Sequence, residues 1–338
     1  GEEVKRQKMK IIFLTHFSDQ GHRFRVEQYF PYLIARQVEP KWQPLSGSWR
    51  ERLLLYQELP SFDVVCIQRR LLSPLEFYWI RNKSSKVLFD LDDAIMYRSS
   101  SSSQPRSLSR FLKGDSKHKG RDLVTVGNQF LKKEVLKVDH SKKVFVIPTS
   151  IDTNLYPQKK NLSHPSEVIL GWMGTKGNLR YLKKLEPVFE AVSQKFPQVK
   201  LKIVSNDFYD SHLPIIKKPW RLEDENADLI SFDIGLMPLS DDPWSKGKCG
   251  LKIVQYLSVG VPVVCTPVGI NSDIVRNGEN GFWALSHQEW VDRLSTLIQN
   301  PELRYQMGLK GIETVEREYS LAVTFEKFFQ VLQSLLRK

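Results

Sequence analysis

Only three cysteines, Cys66, Cys249 and Cys265, are spread over 338 residues. That excludes a disulfide scaffold and points to a reducing compartment with the thiols simply packed. No Cys/His cluster has zinc-site spacing. Apolar runs stop at a Pro, a Gly or a charge, well short of the roughly 20 residues that span a bilayer. Residues 1–10 are charged and do not read as a signal peptide. The expectation is a cytoplasmic protein, free or at the inner face of the membrane. Glycine and proline, 18 each, are too sparse for a collagen-like or low-complexity chain. What is present, 41% hydrophobic and 26% charged residues, is a globular composition of a length for two domains.

Charge is distributed unevenly. Residues 1–160 carry 29 Lys and Arg against 17 Asp and Glu, whereas the remainder carries 21 against 21. The whole net charge of +12 therefore sits on the first half. This is either a solubilising surface or the mark of an anionic partner: a phosphorylated substrate, an acidic membrane or a nucleic acid. Nucleic acid is the weakest of these, because no helix-turn-helix or aromatic strand motif accompanies the charge.

Short apolar runs alternate with helical patterns throughout, the mark of an α/β protein with parallel sheets. In the first half, strands are predicted at Lys10–Thr15, Asp63–Gln68, Lys86–Leu91, Leu123–Val126 and Val144–Ile147. Helices are predicted between them at Arg25–Arg36, Arg50–Glu58, Pro74–Asn82 and Asn128–Lys137. Prolines and turn formers at 151–165 then read as a linker. A second series of strands follows, at Val168–Gly174, Val199–Ser205, Ile215–Lys217, Ile234–Leu239, Val261–Thr266 and Gly281–Ala284. The helices separating them are predicted at Leu179–Lys195, Glu223–Ser231, Leu251–Val259, His287–Gln299 and Glu302–Arg317. The domains are thus expected at 1–150 and 166–319. The final helix, Leu321–Leu336, has one apolar face and is expected to pack back on the first domain. Residues 99–122, with five consecutive serines and many basic residues, read as disorder or as a functional loop for a membrane or a phosphorylated acceptor.

Chemistry concentrates after Ile234–Leu239. The loop there runs through two Asp, Pro and Trp into Lys246-Gly247-Lys248-Cys249-Gly250, and a helix starts at Leu251. Glycines let backbone approach a ligand, and free N–H groups at a helix start favour anions. With Lys246, Lys248 and Lys252 beside them, they read as a phosphate or diphosphate cradle at the carboxyl end of a strand. The P-loop spacing G-x-x-x-x-G-K-[ST] is absent.

The stretch Ala227–Ala284 closely resembles the retaining glycosyltransferases of family four. The shared features are Ser258-Val259-Gly260-Val261-Pro262-Val263-Val264, then Gly269 to Val275, then the turn Asn277-Gly278-Glu279-Asn280-Gly281-Phe282. Pro148-Thr149-Ser150-Ile151-Asp152 is similar to the family's approach to its linker. The resemblance implies a GT-B fold, two Rossmann-like domains facing across a cleft. It also implies transfer of a hexosyl-type sugar from a nucleotide diphosphate sugar to a hydroxyl acceptor with retained anomeric configuration. No cofactor or metal is implied, since lysines and a helix start would replace the cation. Family members usually carry two glutamates with seven residues between them. The matching positions here are Gly247 and Gln255, so both carboxylates are missing. The alternative to an enzyme is accordingly a weakened relative that only binds nucleotide-sugar or a partner.

On this resemblance the donor-side residues are Gly174, Lys176, Lys246, Lys248, Cys249, Gly250, Leu251, Lys252 and Gln255. Lys176 and Lys252 would neutralise the departing diphosphate, and Gln255 would meet the ribose; Lys176 reads equally as a surface lysine in a Gly turn. Asp92, Asp93 and Lys252 are the candidate catalytic residues. Asp92 or Asp93 would bond the donor sugar or orient the acceptor hydroxyl, or else one of them caps the following turn. Gly21, Arg23, Arg25 and Arg69 are the acceptor-side candidates, while His16 and His22 read as bystanders. The acceptor is expected to be an anionic or lipid-linked glycan in polysaccharide, envelope-glycan or glycoconjugate synthesis, with peripheral contact to an acidic membrane.

Overall fold

The computed structural model describes residues 8–16, 21–45, 47–70, 72–97, 122–160 and 166–337. The serine-rich basic stretch, apart from Asp122, lies outside them, as do 161–165 of the linker segment and Phe17 to Gln20. The described chain falls into two compact units. One comprises Gly1–Ser150, Lys246–Cys249 and Leu321–Lys338, and the other Ile151–Ser245 and Gly250–Ser320.

The first unit is built on β1 (Met9–His16), β2 (Val38–Leu45), β3 (Val64–Gln68), β4 (Val87–Leu91), β5 (Asp122–Val126) and β6 (Lys143–Val146). They lie parallel in the order β2-β1-β3-β4-β5-β6. Every residue of β3, β4 and β5 is buried, as strands covered on both faces must be, and this explains why they are mostly apolar, with Gln68, Asp90, Asp122 and Thr125 as buried polar exceptions. The helix Leu321–Leu336 completes the core, with Phe325, Phe328 and Leu332 packed among Phe13, Tyr29 and Leu33.

Strand β2 is the element the sequence pattern misses. It holds Pro40 and Pro44, yet among the described residues β2 is an edge strand pairing only with β1, and an edge strand tolerates a missing N–H. The helix expected over Arg25–Arg36 is broken instead into His22–Arg25, a 3₁₀ turn at Glu27–Tyr29, and Phe30–Ala35. Pro31 sits in the first turn of the last piece, where it can start a helix but could not continue one. Pro187 does the same to the expected Leu179–Lys195, which divides into Leu179–Lys183 and Glu186–Lys195.

The second unit holds β7 (Val168–Met173), β8 (Val199–Ser205), β9 (Ile215–Pro219), β10 (Ile234–Met237), β11 (Val263–Cys265) and β12 (Gly281–Trp283). They are again all parallel, in the order β12-β11-β10-β7-β8-β9. This is the doubly wound Rossmann order, and its direction reverses between β7 and β10. Residues read as the start of the linker belong to this unit: Ile151 bridges to Ser320, and the Lys159 N–H donates to the Val259 carbonyl. Among the described residues, no helix is long and apolar enough to cross a membrane.

Candidate functional site

In an open parallel sheet, ligands bind beyond the carboxyl ends of the strands at the point of reversal. In the second unit that point is the end of β7 and β10. Beyond β7 the chain turns through Gly174, Thr175 and Lys176, and the Gly174 N–H donates to the Val204 carbonyl at 3.1 Å. Beyond β10 it runs to the helix Leu251–Ser258. That helix is tied to β7 by Tyr256, whose buried phenol oxygen accepts the Met173 N–H at 2.9 Å.

Gly250 fixes the start of the Leu251–Ser258 helix. Its φ of +71° lies in the left-handed region, and a Cβ there would stand 2.6 Å from Ile274 Cδ1 and 2.9 Å from Ile270 Cγ2. Only glycine fits. No side chain caps the helix, and Leu251 and Lys252 are half-buried. The N-cap residue, a glycine, offers no side-chain acceptor to the first turn, and the positive end of a helix favours an anion.

Two of the side chains expected to serve this cradle are engaged elsewhere. Gln255 is wholly buried. Its amide nitrogen donates to Glu225 Oε1 at 3.0 Å and to the Tyr156 hydroxyl at 3.1 Å, and its amide oxygen accepts from Lys252 Nζ at 3.0 Å. The amide is thus spent inside the domain, and Lys252 folds back over it. Glu225 also accepts from Trp220 Nε1 at 3.2 Å. Lys176 is 81% exposed and reaches Asp207 Oδ2 at 3.3 Å. An exposed pair of this kind holds the lysine only weakly, so its charge can be redirected.

Lys246, Gly247, Lys248 and Cys249 belong to the first unit. They are held by Asn128, whose Nδ2 donates to the carbonyls of Lys246 at 3.1 Å and Lys248 at 3.0 Å. The same side chain caps the helix Gln129–Val138 by accepting the Leu131 N–H. Gly247 lies directly on Ala94: a Cβ on residue 247 would be 2.2 Å from Ala94 Cβ and 2.9 Å from its Cα. The glutamate that the resemblance calls for has no room at this position. Cys249 is half-buried, while Cys66 and Cys265 are buried free thiols.

At the end of β4, Asp92 is buried and its carboxylate is gripped by Arg69. Nε donates to Oδ1 and Nη2 to Oδ2, both at 2.7 Å, and Gln68 Nε2 adds a 3.3 Å bond. Burial works to raise the Asp92 carboxyl, but Arg69, aided by Arg25, outweighs it and holds the group below the ordinary carboxylate range. Arg69 itself adopts φ +49°, unusual for a side chain of its size. Asp93 next to it goes the other way: burial pushes its carboxyl up, against the pull of Arg69 and Lys248. Its Oδ1 accepts the N–H of the next residue, Ala94, at 2.9 Å.

Arg25, expected on the acceptor side, is instead a core residue. It is 4% exposed, both its Nε and Nη2 donate to Asp90, and Nη1 donates to the Ile147 carbonyl. Asp90 is locked from a third direction by Thr125 Oγ1 at 2.7 Å. A guanidinium occupied on every side cannot also meet a glycan. Gly21 precedes the His22–Arg25 turn, and Arg23 is half-buried with its guanidinium over the Phe24 ring. His22 stacks on Trp42 at 4.4 Å.

The structure thus brings together Arg69, Asp92, Asp93, Lys246 and Lys248 in one unit, and Gly174, Gly250, Leu251, Lys252 and Gln255 in the other. Three residues the sequence reading passed over complete these groups: Asn128, Glu225 and Tyr156. Asn128 carries only the signal of a helix cap, and nothing in the sequence marks its second role.

Residues 236–314 match the family model described as Glycosyl transferases group 1. An uncharacterized glycosyltransferase of Haemophilus influenzae is 26% identical over 199 residues, 55% of each chain. A trehalose synthase of Pyrococcus horikoshii is 29% identical over 86 residues, 25% of this chain. The chain thus spans about half the length of the first of these relatives, and 21% of the second is matched. Among solved structures, Anabaena HepE in complex with UDP and glucose superposes with a TM-score of 0.70 at 15% identity, covering 96% of this chain and 100% of that one. A glycosyltransferase from Rickettsia africae reaches 0.73 at 14% identity, over 98% and 99%. Together the comparisons support the glycosyl transferases group 1 family for this chain through residues 236–314, with the two-sheet GT-B fold of solved glycosyltransferases extending over nearly its whole length.

Proposed function

We propose that the protein is a glycosyltransferase that moves a sugar from a nucleotide diphosphate sugar to a hydroxyl acceptor with retention of configuration. The observation that carries this is the start of the Leu251–Ser258 helix: begun on a glycine in the left-handed region, whose position any side chain would strain, and set beside the strand reversal within the matched segment. Such a start suits a diphosphate, because its N–H groups and helix dipole favour the charge that builds as the phosphate leaves. Lys252 adds a cation one residue into the helix, and Lys176 is weakly enough held to add another. The departing phosphate oxygen takes the acceptor proton on the same face of the sugar, so the chain needs no strong base. HepE, similar in fold, was solved with UDP and with UDP-glucose, which makes these the first probes.

Titration calorimetry with UDP and UDP-glucose, together with sugar release from UDP-glucose, tests the reading. Saturable binding and slow donor hydrolysis are expected, with affinity about tenfold lower in Lys252→Ala, the loss of one charge-assisted contact. Parallel titrations with guanosine and adenosine diphosphates test the choice of base. No binding of any nucleoside diphosphate would defeat the proposal. Tight binding without hydrolysis or transfer would leave a binding protein.

A further inference from the structure

The helix Leu251–Ser258 buries Ile253, Val254, Tyr256 and Leu257, and in their midst Gln255. A polar side chain in such company is costly unless both ends of it are bonded. Gln255 meets that condition in one orientation. Its Nε2 donates to Glu225 Oε1 at 3.0 Å and to the Tyr156 hydroxyl at 3.1 Å, which leaves Oε1 to accept from Lys252 Nζ at 3.0 Å. Glu225 sets that orientation. It is 4% exposed, and it also accepts from Trp220 Nε1 at 3.2 Å and from the Tyr156 hydroxyl at 3.4 Å. An ionised carboxylate only accepts, so the amide must turn its nitrogen to Glu225. The amide oxygen then faces the lysine, which only donates.

Lys252 is the second residue of this helix, beside the start that suits a diphosphate. A lysine stem left loose has to be ordered when an anion arrives, and one already held does not. An amide oxygen holds the ammonium without cancelling its charge, whereas a carboxylate at position 255 would cancel it.

We propose that Glu225 is a positioning residue for the diphosphate: acting through Gln255, it holds Lys252 in place before the nucleotide binds. The inference rests on the nucleotide-sugar reading above. Glu225→Gln tests it, because the substitution keeps the size of the side chain and ends its acceptor-only character. Two facing amides pair in either sense, and in one of them Gln255 turns its NH2 group toward the ammonium. Affinity for UDP by titration calorimetry is expected to fall about three- to tenfold. In the Lys252→Ala background the same substitution should change affinity by less than about twofold, since the group it acts on is gone. Gln255→Leu breaks the chain but leaves Glu225 with Trp220 and Tyr156. It is expected to match the loss in Glu225→Gln, and it carries the test should that variant not fold. Gln255→Glu, which restores the carboxylate that the family resemblance places there, should also weaken UDP binding, by neutralising Lys252. Tighter binding by Gln255→Glu would overturn the proposal, as would a Glu225→Gln loss repeated in full without Lys252. Unchanged affinity in Glu225→Gln and Gln255→Leu, beside a weakened Lys252→Ala, would overturn it and leave the transferase reading standing. A parent chain that binds no nucleoside diphosphate would remove both.

Discussion

Asp92 has both carboxylate oxygens on one guanidinium and is almost fully buried, while Arg69 keeps about a fifth of its side chain in solvent. Removing the arginine would leave an uncompensated buried charge, a change that costs 3–5 kcal/mol where burial is complete. The exposed part of Arg69 places Arg69→Ala at the lower end, about 3 kcal/mol at neutral pH. The sign of its pH dependence follows from the two opposing influences on Asp92. In the parent the folded carboxyl lies below its unfolded value, so its contribution is present above that value and is lost as pH falls through the lowered one. In the variant burial is left as the chief influence and lifts the carboxyl above the unfolded value. Its cost is then full at neutral pH and relieved as pH falls through the raised value. The stability gap between parent and variant should therefore narrow from pH 7 toward pH 4 in urea titrations. A gap independent of pH would mean that Asp92 is not the group stabilised by Arg69.

At the scale of elements, the segment Lys246–Cys249 is held on the first unit by a packing contact as well as by Asn128. Gly247→Ala must move Ala94 or its backbone, since neither is the far end of a flexible side chain. Overpacking of this kind costs about 1–3 kcal/mol, and the gain from a stiffer unfolded chain, about 0.4–1 kcal/mol, does not offset it. The thermal midpoint should fall, by about 2–4 °C per kcal/mol for a domain of this size. Adding Ala94→Gly should recover part of the loss by removing the closest atom. An unchanged midpoint in Gly247→Ala would show that the segment is not seated on Ala94. The same contact shows where sequence reading stops. The glycine and lysine run before Leu251 is legible because small residues and charges precede a helix start, and the parallel strands are legible because burial on both faces leaves them mostly apolar. Arg25 and Gln255 are misjudged because their partners, Asp90 and Glu225, lie 65 and 30 positions away. A polar residue at the mouth of a loop looks the same in sequence whether it faces a ligand or a distant carboxylate. Strand β2 is hidden for a different reason: Pro40 and Pro44 forbid only a central strand, and nothing local says that this one lies at an edge.

For the whole molecule, the decisive piece is the last helix, which follows the second unit in sequence but lies in the core of the first. Leu321, Phe325, Phe328, Phe329, Leu332 and Leu335 are all buried, and Phe328 stacks on Tyr29 with ring centroids 4.9 Å apart. Six such side chains at about 2 kcal/mol each amount to roughly 12 kcal/mol, comparable with the whole stability of a typical domain. A chain ending at Ser320 should therefore lose the fold of the first unit outright rather than merely soften it. The second unit keeps its own sheet, its Ile151–Ser320 bridge and the ion pair of Arg276 with Glu318, so it has no comparable reason to unfold. Limited proteolysis of the truncated chain should then leave a protected fragment beginning near Ile151, with the first 150 residues digested, whereas the full chain resists over both units. Adding the 321–338 peptide should restore some protection to residues 8–150, because the lost contacts are those of one continuous apolar face. Equal protection of both units without the helix would mean that the first sheet closes its core unaided, and that the return of the chain to it adds little to stability.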